Sequence, residues 1–170
     1  MSVPHVPTFF TGSSSSLRWS NHGSRSSHRH IDVELEQWQH IAIAYDKQNT
    51  HLTVYINGEL ESESGNQSAY SLRGGQSLWF GREPGRGGNV EAPDFAIRDI
   101  RIWDGIRSEN EIRANMTVRL SGNESGLIAY WPFGEGQGNT VNEVVGGRNG
   151  RAPDADWIFV EQAVFLSVAE

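Results

Sequence analysis

The stretch that most limits what this chain can become runs from Trp38 to Gly58, Trp-Gln-His-Ile-Ala-Ile-Ala-Tyr-Asp-Lys-Gln-Asn-Thr-His-Leu-Thr-Val-Tyr-Ile-Asn-Gly. Ile41, Ile43 and Tyr45 fall on one strand face by the period of two, and Trp38, His40, Ala42 and Ala44 fall on the other. Both faces are largely apolar, which predicts a strand covered on both sides. Asp46 to Thr50 is polar turn sequence, after which Leu52, Val54 and Ile56 alternate with Thr53 and Tyr55 up to Asn57-Gly58. Asn-Gly is a strong hairpin signal, because both residues tolerate φ > 0. The region from Trp38 to Glu63 is therefore expected to form a three-stranded antiparallel meander.

Trp-x-His-Ile-Ala-x-x-Tyr-Asp followed by Leu-x-Val-Tyr-Ile-Asn-Gly resembles the central signature of laminin-G-like jellyroll domains, in the concanavalin A-like lectin and glucanase superfamily, to which pentraxins are related. Three later segments resemble the same family in order. Ser77-Leu-Trp-Phe-Gly-Arg82 is similar to its Leu-x-Ile-Gly strand. Phe95-Ala-Ile-Arg-Asp-Ile-Arg-Ile-Trp103 is similar to a strand ending Val-Arg-Ile-Trp, with Ile97 out of phase, so a bulge is expected near Arg98-Asp99. Gly126-Leu-Ile-Ala-Tyr-Trp-Pro-Phe133, with the glycine-rich run after it, resembles the element that closes one such domain and opens the next in tandem proteins; Glu143 stands where the family usually has Asp. The resemblance spans about Ile31 to Trp157 and implies an all-β fold, an antiparallel jellyroll β-sandwich with one short helix. That helix is expected to begin at Ser108, where Ser108 and Glu111 have capping-box spacing, and to plug one end of the sandwich.

Residues 1–29 read as a poorly defined, Ser-rich segment, and residues 30–168 as the jellyroll domain, which looks incomplete. The family's opening strands have no visible counterpart before Ile31. Three outcomes are open: the chain's own ends, Phe9 to Ser20 and Ile158 to Val168, fill the missing strand positions; another chain does; or the sequence is a piece of a longer protein, the preferred expectation. Unfilled positions would leave sheet edges able to self-associate.

Charge and composition remove several function classes. A net charge of −7 opposes nucleic-acid binding, which needs clustered cations. No apolar run reaches the ~20 residues of a membrane helix. The first residues lack the apolar core of a signal peptide, so an extracellular or cell-surface location is an implication of the resemblance alone. With no cysteine, thiolate metal sites are excluded. His28 and His30 have chelating spacing, but a solvated basic edge is the preferred reading.

Asp32, Glu34 and Glu36 alternate as glucanase carboxylates do, with one carboxylate as nucleophile and another as acid. Their order and context depart from that motif, so the chain is read as no enzyme. Asp99 is expected to be a buried acceptor for backbone N–H groups or an arginine.

The expected function is non-catalytic recognition of a carbohydrate or an extracellular protein through loops at the sandwich end. The alternatives are a glucanase-type glycoside hydrolase and a structural or assembly module with no small-molecule ligand. Candidate ligand residues are Trp19 and Trp79, for stacking on sugar faces, with Arg82, Glu83, Asn89 and Asp94 around the glycine-rich loop from Gly85 to Pro93. No cofactor is expected. Calcium is the nearest candidate, because related pentraxins bind it just after a residue matching Glu83, but Pro84 and Gly85 remove two oxygen donors, and Glu91 and Asp94 are the only nearby substitutes. Asn66, Asn115 and Asn123 begin glycosylation sequons.

Overall fold

A computed structural model describes residues 8–11, 16–19, 29–65 and 95–152. In chain order the elements are β1 (Thr8–Thr11), β2 (Ser16–Trp19), β3 (Arg29–Asp32), β4 (Trp38–Asp46), β5 (His51–Ile56), β6 (Glu59–Ser64), β7 (Phe95–Arg98), β8 (Ile100–Trp103), α1 (Glu109–Asn115), β9 (Leu127–Trp131), β10 (Thr140–Val141) and β11 (Gly150–Arg151). All pairings are antiparallel. This is the all-β architecture with one short helix that the sequence implies.

The meander forms as expected, and its register explains its core. Ile41 faces Ile56, Ile43 faces Val54 and Tyr45 faces Leu52 across β4 and β5. Ile41, Ile43, Tyr45, Leu52 and Val54, with Ile31 and Val33, make one buried cluster against which the partly buried Ile56 and Ile97 pack. On the opposite face of β4, Ala42 and Ala44 are also buried, so the strand is covered on both sides. Asp46 nucleates the turn into β5, accepting hydrogen bonds from the Gln48 and Asn49 amides at 2.8 and 3.1 Å. Asn57 and Gly58 both take positive φ, 50° and 78°, as a tight hairpin turn requires. A Cβ on Gly58 would sit 2.5 Å from the Arg113 Cγ, so this glycine serves the turn and the close approach of α1 together.

The five-stranded sheet runs β6-β5-β4-β1-β7. Here the structure takes up one of the outcomes left open by the sequence, strands supplied by the chain's own N-terminal stretch. Residues 8–11 lie inside the sheet, hydrogen-bonded to β4 on one side and β7 on the other, and β2 pairs with β3. Residues 8–11 and 16–19 thus occupy strand positions. Strands of four residues within Ser- and Pro-rich sequence carry too few residues for a period to show.

The carboxylate triplet departs from the sequence reading. β3 stops at Asp32, and Glu36 has a φ of 57° in the turn that follows. Gln39 clamps this turn, donating to the Glu34 carbonyl at 2.8 Å. Asp32, Glu34 and Glu36 are exposed but do not share a strand face.

Where a bulge is expected, near Arg98-Asp99, the strand breaks instead, and the register irregularity of β8 falls later, between Ile102 and Trp103. Asp99, at φ 57°, stands between β7 and β8, where the chain passes from the five-stranded sheet to the separate antiparallel β8–β9 pair. There Trp103, Leu120, Leu127 and Tyr130 form a second buried cluster. Glu143 closes this unit. Its side chain is fully enclosed, and its carboxylate accepts hydrogen bonds from the Tyr130, Val145, Gly146 and Arg148 amides at 2.6–3.2 Å. Burial would raise its pKa, but these four donors outweigh that and hold it below the usual carboxylate value.

Candidate functional site

Trp79, Arg82, Glu83, Asn89 and Asp94, with Glu91, lie outside the described residues. Trp19 is described only as a backbone position of β2, facing Arg29. None of these side chains is placed. The described residues do form a cleft, between α1 and β8 at the His40 end of β4. It is lined by His40, Asp99, Arg101, Trp103, Arg107, Glu111, Ile112, Asn115 and Met116.

Local sequence rules position its walls. Ser108 caps α1 with its hydroxyl accepting from the Glu111 amide, while the Glu111 Oε2 accepts from the Ser108 amide at 2.8 Å. The capping box read from the sequence is therefore formed. Ile112 is buried, and the Arg113 Nε donates to the Gly58 carbonyl at 3.0 Å, tying the helix to the hairpin turn.

Arg101 comes from the middle of β8 and is 6% exposed. It donates through Nη1 to the Asn115 carbonyl at 2.6 Å and through Nη2 to the Val118 carbonyl at 2.5 Å. The chain leaving α1 is thereby stitched to β8. Asp99 sits 3.4 Å from Nη2 and accepts the Tyr130 hydroxyl at 2.7 Å. Enclosure pushes the Tyr130 pKa up to about 12, and the Asp99 acceptor adds to the shift. Asp99 thus takes the expected acceptor role for an arginine, with a tyrosine hydroxyl as its closer donor.

Arg107 stacks its guanidinium 4.1 Å from the Trp103 ring centre, pairs with Glu111 at 2.8 Å and donates to the Ser125 carbonyl at 2.5 Å. Glu111 is held down to a pKa of about 2, first by the Ser108 amide, then by Arg107 and the Ser108 hydroxyl. Its ionised form is the one this network needs.

Among the described residues, no group of three or more His, Asp or Glu is placed to hold a metal ion. Sequence reasoning missed Arg101, Arg107 and Tyr130. Each reads locally as a strand or loop residue, and only the fold brings them together.

Comparison with known proteins agrees with this architecture. A family model described as the concanavalin A-like lectin/glucanases superfamily matches residues 7–113, more than half of the chain. A rat protein, sushi, von Willebrand factor type A, EGF and pentraxin domain-containing protein 1, is 27% identical over 100 residues, covering 56% of this chain and 3% of that protein. The crystal structure of a Bacteroides ovatus protein named a "putative carbohydrate binding protein" superposes with a TM-score of 0.61 at 17% identity, over 91% of this chain and 52% of that one. The chain therefore spans only part of either relative.

Proposed function

The chain belongs to the concanavalin A-like lectin/glucanases superfamily, and from that premise we propose that it is a non-catalytic recognition module for carbohydrate, acting outside the cell. One observation carries the reading: 91% of the chain follows the fold of a protein named for carbohydrate binding. Fold by itself does not assign a ligand. Support against the enzymatic alternative comes from β3. A retaining glycosidase needs two carboxylates held about 5–5.5 Å apart on a rigid scaffold. Here the strand ends at Asp32, and a turn separates it from Glu36.

The test is a glycan array with the full chain, alongside incubation with laminarin, xylan and agarose. Saturable binding to one glycan class, without release of reducing sugar, is the expected result. Sugar release abolished by Glu34→Gln would assign a glucanase instead. An empty array together with concentration-dependent self-association would assign an assembly module. Calcium is proposed to be dispensable, because Pro84 and Gly85 follow Glu83. A calcium-dependent rise in melting temperature that disappears in Glu83→Gln would refute that.

A further inference from the structure

Two of the three glycosylation sequons fall within the described residues, and the fold treats them differently; Asn66 lies outside those residues. Asn115 ends α1. Its side-chain amide donates to the Glu111 carbonyl at 2.8 Å, its own carbonyl accepts from Arg101 at 2.6 Å, and it lines the narrow cleft between α1 and β8. An N-linked sugar attaches at that amide nitrogen, and here it would stand where α1 closes on β8. Asn123, by contrast, is exposed in the turn that leads into β9. Its backbone N–H donates to the Ser121 hydroxyl at 3.3 Å, and its side-chain amide makes no hydrogen bond among the described residues.

The rest of the Asn123 sequon is held open in the same way. Glu124 turns its carboxylate back on the preceding residues, accepting from the Ser121 amide at 2.7 Å, the Ser121 hydroxyl at 2.9 Å and the Gly122 amide at 3.0 Å. Ser125 is exposed, and its carbonyl is held by Arg107 at 2.5 Å. Its hydroxyl makes no hydrogen bond among the described residues. The turn is thus fixed through Glu124 and backbone groups, which leaves free the two side chains that a sequon needs. We propose that Asn123 is an acceptor for an N-linked glycan and that the folded chain carries none at Asn115. The proposal rests on the extracellular reading above. The donor is a lipid diphosphate-linked oligosaccharide, used by a membrane-bound transferase of the secretory route. The Asn123 Nδ2 bonds to the anomeric carbon, and the bond from that carbon to the diphosphate oxygen breaks. The lipid diphosphate leaves with the electron pair, and one amide proton passes to a base. Such a transferase meets the chain as it is made, so folding decides between the two sequons. A sugar on Asn123 lies in solvent, whereas one on Asn115 holds α1 away from β8.

The experiment sends the full chain, behind a secretion leader, through a eukaryotic secretory route, so the compartment is supplied and a failure speaks about the site. Secreted protein that melts cooperatively is treated with peptide N-glycosidase in heavy-oxygen water, which turns each glycosylated Asn into labelled Asp. Tryptic peptides then locate the label, because Arg119 separates the two sequons. Label is expected at position 123 in most of the material, and none at position 115. Asn123→Gln and Ser125→Ala should each abolish it with the melting temperature of the deglycosylated chain retained, and Ser125→Thr should keep it. Should Asn123→Gln fail to be secreted, Ser125→Ala decides. An unlabelled Asn123 in folded protein, label that survives Ser125→Ala, or label at Asn115 in protein that melts like the unglycosylated chain would overturn the proposal. Carbohydrate recognition stands or falls separately, on the array with unglycosylated chain.

Discussion

In the meander of β4, β5 and β6, apolar side chains meet in facing pairs, Ile41 with Ile56, Ile43 with Val54 and Tyr45 with Leu52. In the unit made of β8, α1 and β9, the joins are polar: Arg101 on the Asn115 and Val118 carbonyls, Tyr130 on Asp99, and Glu143 on four amides. The first kind of join is non-directional and scales with buried area, about 1.5–3 kcal/mol for each fully buried aliphatic side chain. The second is directional. It adds little net energy when complete and costs a great deal when half of it is removed. The meander should therefore tolerate substitutions that conserve volume, and the β8–α1–β9 unit should not tolerate substitutions that conserve shape but change hydrogen bonding.

The largest effect should come from Glu143→Ala. It strands four amide donors and the partnered Arg148, so a loss of about 3–5 kcal/mol is expected in chemical denaturation. A loss below about 1 kcal/mol would show that water replaces the carboxylate freely and would break the contrast. Next comes Ile41→Ala, which empties a 1%-exposed site and should cost about 2–4 kcal/mol, whereas Ile41→Val should cost about 1 kcal/mol. That gentle gradient is the signature of area-driven packing.

Tyr130→Phe keeps the ring and removes only the hydroxyl that Asp99 accepts. The expected cost is about 1–2 kcal/mol. A double-mutant cycle with Asp99→Asn should return a coupling energy clearly different from zero. Additive losses would mean that the hydroxyl and the carboxylate do not act together.

The smallest effect is in acid. The Glu111 pKa is lowered from 4.5 to about 2 in the folded chain. Its contribution is therefore present above pH 4.5 and fades as the pH falls from about 4.5 to about 2. The side chain is 46% exposed, so solvent screens the effect. Melting temperature measured against pH should fall less steeply in Glu111→Gln over that window than in the native chain. Identical slopes would show that the capping box contributes nothing through its charge.

The two regions also differed in how readable they were. In the meander, period and turn chemistry follow from neighbours in sequence, so β4, β5 and the Asn57-Gly58 turn could be placed, with β6 expected as the third strand ending near Glu63. The capping box at Ser108 was legible for the same reason, whereas the lost phase at Ile97 predicted a bulge where the strand in fact breaks. For β1 and β2 the pairing was not legible, because four residues show no period and their partners lie as far away as β7. The Asp32, Glu34 and Glu36 pattern misled in the opposite direction. Its alternation is real, but Gln39 folds the backbone into a turn after β3, and the strand face that the alternation requires does not exist.

The amino-acid sequence by itself determined the local periods, the hairpin turn, the helix cap and the superfamily resemblance, because each depends on residues a few positions apart. Only the tertiary structure decided that residues 8–11 enter the five-stranded sheet, that Asp99 passes the chain between two sheets, and that Arg101, Arg107 and Tyr130 become the polar joints around one cleft. Those outcomes depend on which buried donor meets which acceptor across 14 to 31 positions of chain. Hydrogen-bond partners at such separations are chosen by packing, and no local pattern encodes them.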